Sequence, residues 1–194
     1  MSWSDRVDQA YAAALGEASL RDEGFPPLTV EVPADRWVEA LAVARDVLGC
    51  TFFDWLSAVD EGEGGFAVLC HVVARRTAGV EHLAVRCLLP RSRPVLASAA
   101  GVFAGARWHE RETHEMFGVD FTDGGALLPM VPLLLPEEFE GHPLRKDFVL
   151  ASRVAIPWPG AKEPGESEGA PATSRSRRKA RPAGVPDPDE WGPR

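Results

Sequence analysis

Thr51–Val59 (TFFDWLSAV), Phe66–Ala74 (FAVLCHVVA) and His82–Leu89 (HLAVRCLL) are the three runs that decide the fold class. Each is short, rich in β-branched and aromatic residues, and bounded by turn-forming residues, the pattern of a strand. Glu61-Gly62-Glu63-Gly64-Gly65 separates the first two, and Arg75-Arg76-Thr77-Ala78-Gly79 the second and third. Connections this short favour antiparallel neighbours, because a parallel pair needs a long crossover.

Helical spacing surrounds these strands. Trp3, Val7, Ala10, Tyr11, Ala14 and Leu15 share one face of a first helix, which Gly24, Pro26 and Pro27 end. Leu28–Val32 alternates as a further strand. Asp35 is placed to cap a second helix to about Leu48, with Trp37, Leu41, Ala44, Val47 and Leu48 inward and Gly49 just past its end. Downstream, Pro94–Ala104 reads as a helix with proline at an early position. Trp108–Met116 reads as another, closed by Gly118. Residues 1–153 therefore form an α+β domain, a mostly antiparallel sheet with packed helices, and an extended C-terminal tail follows. There is no internal repeat.

The tail, residues 154–194, is marked by composition. Between Gly160 and Arg194 lie eleven Gly or Pro, and Val185 and Trp191 are the only large apolar residues. Such a segment cannot bury enough surface to offset its ordering entropy, so it is expected to be disordered or to wrap a partner. Its basic cluster, Arg175, Arg177, Arg178, Lys179 and Arg181, reads as a solvated run before it reads as a nucleic-acid or lipid contact.

The 194 residues are 45% apolar and 26% charged, enough for one hydrophobic core. A net charge of -8 argues against a nucleic-acid-binding surface, which needs dense cations. Lys146, Lys162 and Lys179 are the only lysines; with abundant Ala and Gly, this usage points to a GC-rich bacterial genome. Cys50, Cys70 and Cys87 form no C-x-x-C pair and sit in or beside apolar runs, so buried reduced thiols are expected. Three thiols fall short of the four that usually hold an iron–sulfur cluster. Asp5, Asp8 and Glu17 interrupt any signal-peptide h-region, and no apolar stretch reaches 18 residues. A cytoplasmic protein is expected, with indirect membrane contact through a partner.

Two charged segments invite a chemical reading. In Trp108-His109-Glu110-Arg111-Glu112-Thr113-His114-Glu115-Met116-Phe117-Gly118, His114-Glu115 starts a zinc-protease H-E-x-x-H pattern, but the second His is absent because position 118 is Gly118. His109 and His114 are roughly 140° apart round a helix, poorly placed to share an ion. A metal-dependent hydrolase using His109, Glu112 and His114 is thus an alternative, not the leading reading. Exposed ion pairs among Glu110, Arg111, Glu112 and Glu115, or contacts to another subunit, also fit these residue types. Glu140-Gly141-His142-Pro143-Leu144-Arg145-Lys146-Asp147-Phe148 reads as a polar turn into an extended segment. No G-x-G-x-x-G, Walker loop or G-x-S-x-G occurs.

Glu110-Arg111-Glu112, then Glu115-Met116-Phe117-Gly118-Val119, then Gly141-His142-Pro143-Leu144-Arg145-Lys146-Asp147-Phe148 together resemble the C subunit, a small accessory component, of the proton-pumping NADH–quinone oxidoreductase, respiratory complex I. Leu56-Ser57-Ala58-Val59-Asp60 and Gly105-Ala106-Arg107-Trp108 support the resemblance, which covers about residues 28–150. It implies an α+β domain in the peripheral arm, non-catalytic by itself, on the cytoplasmic side of a bacterial cell membrane. It implies no cofactor on this chain, with FMN, iron–sulfur clusters and quinone in partner subunits. The implied partners are the large quinone-site subunit and neighbouring iron–sulfur subunits. The implied interface residues are Glu110, Arg111, Glu112, Glu115, Gly141, His142, Pro143, Arg145, Lys146 and Asp147. The equivalent component of a related membrane-bound hydrogenase or ferredoxin-dependent complex would look similar. One stretch departs from the family. In residues 122–132 the His and the paired Arg of its usual His-Pro, Leu and Arg-Arg pattern are missing, which marks the chain as a divergent paralogue, with an incomplete complex lacking the NADH module as a corollary.

Overall fold

In the computed structural model, the structure describes residues 1–16, 20–22 (backbone only), 27–77 and 79–149. The expectations for the tail and for Gly24 and Pro26 fall outside these residues.

Helix α1 (Trp3–Leu15) opens with a reciprocal cap. Ser2 Oγ accepts from the Asp5 amide at 3.0 Å, and the Asp5 carboxylate accepts from the Ser2 amide at 2.8 Å. Its inner face buries Val7, Ala10 and Tyr11, and the Tyr11 hydroxyl donates to the Ala40 carbonyl at 3.0 Å. That bond ties α1 to α2 (Trp37–Asp46). Asp35 does not cap α2. It lies in a 3-10 turn, Ala34–Arg36, whose tight Arg36 amide to Pro33 carbonyl bond makes Arg36 the residue before the helix. Beyond α2, Gly49 adopts the left-handed conformation expected of it.

The main sheet runs in the order β1 (Leu20–Asp22), β2 (Leu28–Glu31), β5 (Gly79–Leu89), β4 (Phe66–Arg76), β3 (Phe52–Asp60). Strands β3, β4 and β5 are antiparallel neighbours as expected, and β2 joins β5 in parallel. Within β3 the register slips between Phe53 and Trp55, so Asp54 is an extra residue with no partner across the ladder. Alternate residues of these strands, among them Leu56, Phe66, Val68, Val72, Leu83, Val85 and Leu89, pack with Trp37 and Leu41 into one core. Cys50, Cys70 and Cys87 lie in that core as free thiols. Burial pushes the thiols of Cys50 and Cys87 up to about 12, and that of Cys70 higher still.

The helix expected over Pro94–Ala104 is not there. Val95–Ala97 forms strand β6, paired in parallel with β7 (Asp120–Asp123), and β7 pairs with β8 (Ala126–Leu127) in a second, small sheet. The backbone of 95–97 takes ladder bonds to β7, a long-range partner that local propensity cannot reveal. Only a turn at Ala99–Phe103 follows it. Helix α3 (Ala106–Phe117) packs on β3 and ends, as expected, at a left-handed Gly118. Among the described residues no helix is long and apolar enough to cross a membrane.

Candidate functional site

The candidate site is α3 with the chain that wraps it, and it gathers nearly all of the motif residues. At the start of α3, Glu110 is turned inward and is 1% exposed. Its carboxylate accepts from Ser98 Oγ at 2.8 Å and from the Ala99 amide at 2.7 Å. Burial holds the Glu110 carboxyl above the usual range, and the Ser98 and Ala99 donors and nearby Arg107 partly offset this. Glu110 thus anchors the β6–α3 connection and cannot meet a partner in this conformation. Glu110→Gln is expected to stay within about 1 kcal/mol of the parent at neutral pH, since the amide keeps an acceptor for Ala99. A raised folded-state carboxyl adds stability that is complete below its unfolded value, about 4.3, and is lost as pH rises through its folded value. Urea unfolding across that interval should therefore fall less steeply with pH in Glu110→Gln than in the parent.

The next residue, and one a turn beyond it, grip a loop. Arg111 Nε donates to the Val131 carbonyl at 2.8 Å and Nη2 to the Pro132 carbonyl at 2.7 Å. Four residues later Glu115 accepts from the Leu133 and Leu134 amides at 2.5 and 2.9 Å. The exposed ion pairs that residue types allowed are not formed: guanidinium and carboxylate each take main-chain groups of 131–134 instead. This clamp reads backbone, not side chains. A loop held by its main chain can change its side chains and remain held. Glu112 is half-buried and makes no hydrogen bond or ion pair among the described residues.

The end of α3 is capped from a distance. The last carbonyls of a helix lack internal partners. Here His142 Nδ1 meets the Glu115 carbonyl at 2.9 Å, the Leu144 amide the Met116 carbonyl at 3.1 Å, and Arg145 Nε the Phe117 carbonyl at 2.5 Å. A carbonyl only accepts, so Nδ1 of His142 carries the proton. Burial lowers the His142 imidazole from its ordinary value and Arg145 and His114 add to this, against the raising effect of the Glu115 carbonyl, and the net lowering favours the neutral ring. Arg145 completes the cap as a cation at the negative end of the helix, with its guanidinium 5.1 Å over the Phe66 ring. Gly118 makes the approach possible, because a Cβ there would collide with both Arg145 and His142. Gly141, with φ +90°, starts the turn, and Pro143 is half-buried behind it.

The wrap is fastened to the sheet by Asp60, at the end of β3. Its carboxylate is 3% exposed and accepts from the Gly62 amide, the Lys146 amide and Arg91 Nη1, each at 2.8 Å. Burial alone pushes this carboxyl up, but the two amides and the guanidinium outweigh it and hold the group below its usual value. Arg91 reaches onward to Asp147 at 2.8 Å. The Lys146 side chain is exposed. Asp60 and Arg91 were not among the expected site residues. The Asp60-Glu61-Gly62 turn is the one local signal for Asp60, and nothing local marks Arg91.

His109 and His114 do not come together. The His109 ring packs edge-on against Phe53, while His114 Nδ1 lies 3.2 Å from the Val119 carbonyl and from Asp120. Among the described residues no three His, Cys, Asp or Glu are grouped to hold a metal ion. Around the clamp, Trp108, Leu127, Val131 and Leu134 are large apolar side chains more than half exposed.

Residues 30–154 match the family model of the respiratory-chain NADH dehydrogenase 30 kDa subunit. The NADH-quinone oxidoreductase C subunit of Salinispora tropica is 36% identical over 83% of this chain and 65% of the relative, so the match falls just short of two thirds of that protein. The same protein of Roseiflexus sp. strain RS-1 is 35% identical over 74% of this chain and 80% of its own. A trypsin-resistant fragment of Nqo5 is similar in fold at a TM-score of 0.52 and 23% identity, covering 66% of this chain and all of that one.

Proposed function

The chain belongs to the respiratory-chain NADH dehydrogenase 30 kDa subunit family, and from that membership we propose that it is a non-catalytic scaffold subunit in the peripheral arm of an NADH–quinone oxidoreductase. Electron transfer from NADH to quinone, coupled to proton translocation, belongs to the assembly. FMN, iron–sulfur clusters and quinone sit in partner subunits, chiefly the large quinone-site subunit and its iron–sulfur neighbours. The chain lies at the cytoplasmic side of the membrane through those partners.

The observation that carries this reading is the use to which the motif charges are put. Arg111, Glu115, His142 and Arg145 direct their polar atoms at main-chain groups of 115–118 and 131–134. Groups engaged in this way define a shape. That shape presents Trp108 of α3 beside Val131, Leu134 and the Lys146 and Asp147 side chains of the chain that wraps it, as an interface needs.

Purification of the tagged full chain from native membranes, with mass spectrometry of what accompanies it, tests the reading. Recovery with a quinone-site subunit and iron–sulfur subunits is expected. Recovery alone from the soluble fraction overturns it. A partner set without NADH-oxidising subunits means an incomplete complex, and hydrogenase or ferredoxin-linked partners change the donor but keep the scaffold role. Arg111→Ala is expected to lose about 1 kcal/mol, leave far-UV circular dichroism unchanged, and lower the yield of co-purified partners severalfold. Global unfolding of this variant would make Arg111 a folding residue and remove it from the interface.

A further inference from the structure

On the sheet face opposite the core, a carboxylate and two imidazoles are joined across three strands. Asp54 Oδ2 lies 2.8 Å from His71 Nδ1, and His71 Nε2 lies 3.2 Å from His82 Nδ1. The Trp55 and His71 rings stack at 5.7 Å, and those of His71 and His82 at 5.3 Å with 11° between their planes. The His71 side chain is 8% exposed and that of Asp54 46%; His82 is exposed. The bulge in β3 places Asp54 here, for without the extra residue the strand would keep its regular alternation. None of this belongs to the site on α3.

The chemistry of the three groups leaves one arrangement of protons. An ionised carboxylate only accepts, so His71 Nδ1 carries a proton and donates it. A neutral His71 then has only a lone pair on Nε2, so His82 Nδ1 must donate to it. Both tautomers are thereby set, and His82 Nε2 is left as the outward basic nitrogen. A first added proton enters at that nitrogen and breaks no bond. A second has to sit on His71 Nε2, where it meets the Nδ1–H of His82 with no acceptor between them and a second cation stacked against the first.

We propose that Asp54, His71 and His82 form a proton-gated fastening of β3, β4 and β5: it holds one added proton and opens on the second. Among the described residues, the other charged groups nearby are few. Arg75 lies further along β4 on the same face, and Arg86, paired with Glu31 and Glu61, lies beyond Ala84 on β5. Glu81, paired with Arg6 of α1 and Arg76 of β4, alternates to the other face. From α1, Trp3 contributes an indole N–H to the His82 carbonyl at 2.9 Å. Asp54 is the one carboxylate bonded to the rings.

Imidazole nitrogen spectra of the full chain, with 15N-labelled histidine, test this. At neutral pH His71 and His82 should both be the Nδ1–H tautomer. On acidification the pair should take up its two protons in separate steps, with faster amide exchange along the β4–β5 ladder in the second. In His82→Ala a single step should remain at His71, at least about 1 pH unit above the second step of the pair, the coupling above which two sites titrate as a pair. An Nε2–H tautomer at either ring in the parent overturns the proposal, as does a His71 step that His82→Ala leaves in place. The tautomer measurement needs no variant, so a poorly folding variant does not shelter the idea.

Discussion

Asp60→Ala is expected to destabilise the domain by about 3 kcal/mol, since it leaves two amides and a guanidinium without the buried charge they were built around. The three bonds come from the turn after β3, from the strand-end Arg91 and from the wrap at Lys146. One side chain therefore joins segments that are 86 residues apart. Asp60→Asn should fall between parent and alanine variant, because the amide retains one acceptor. The pH dependence identifies the charge as the cause. A carboxyl held low in the folded state adds stability that is present above its unfolded value, about 3.9, and is lost as pH falls through its folded value. The gap between parent and Asp60→Ala in urea unfolding should thus narrow on acidification from pH 7 toward pH 3. A gap that does not change with pH would mean that packing, and not the carboxylate, is what the substitution removes.

Gly118→Ala is expected to lose about 3 kcal/mol from two sources. The left-handed backbone at φ +70° costs an L-residue about 1–2 kcal/mol. The added Cβ also displaces Arg145 and His142, and with them hydrogen bonds that cap α3, worth about 1 kcal/mol or more each. A double-mutant cycle separates the two. In an Arg145→Ala background Gly118→Ala should cost less than in the parent by about the Arg145 contribution, with the backbone and His142 parts remaining, whereas an equal penalty in both backgrounds would show that the Arg145 cap is not coupled to the glycine. Hydrogen exchange gives a local view: the Leu144 and Lys146 amides, bonded to Met116 and Asp60, should lose protection in Gly118→Ala ahead of the central strands.

Both substitutions act on connections between segments distant in sequence, which is also where sequence reading reached its limit. Strands β3, β4 and β5, helices α1 and α3, the left-handed glycines at 49 and 118 and the buried thiols all follow from patterns within a dozen residues, where apolar period and turn chemistry act directly. The α+β class and the family resemblance followed from those same stretches. Residues 94–104 misled because their local pattern is helical while their backbone partner, β7, lies beyond α3. Glu110 and Arg111 show the same limit one residue apart. As adjacent charges on a helix both read as surface, yet one is buried beneath Ser98 and Ala99 and the other grips a loop twenty residues away. The Asp54–His71–His82 chain was wholly hidden, since strand register and a single bulge bring its members together. What the sequence by itself determined is the set of elements and the two motif segments. Only the tertiary structure decided what the charges hold, because a hydrogen-bonding side chain is satisfied by whichever group the fold brings within about 3 Å, and nothing nearby in the chain names that group.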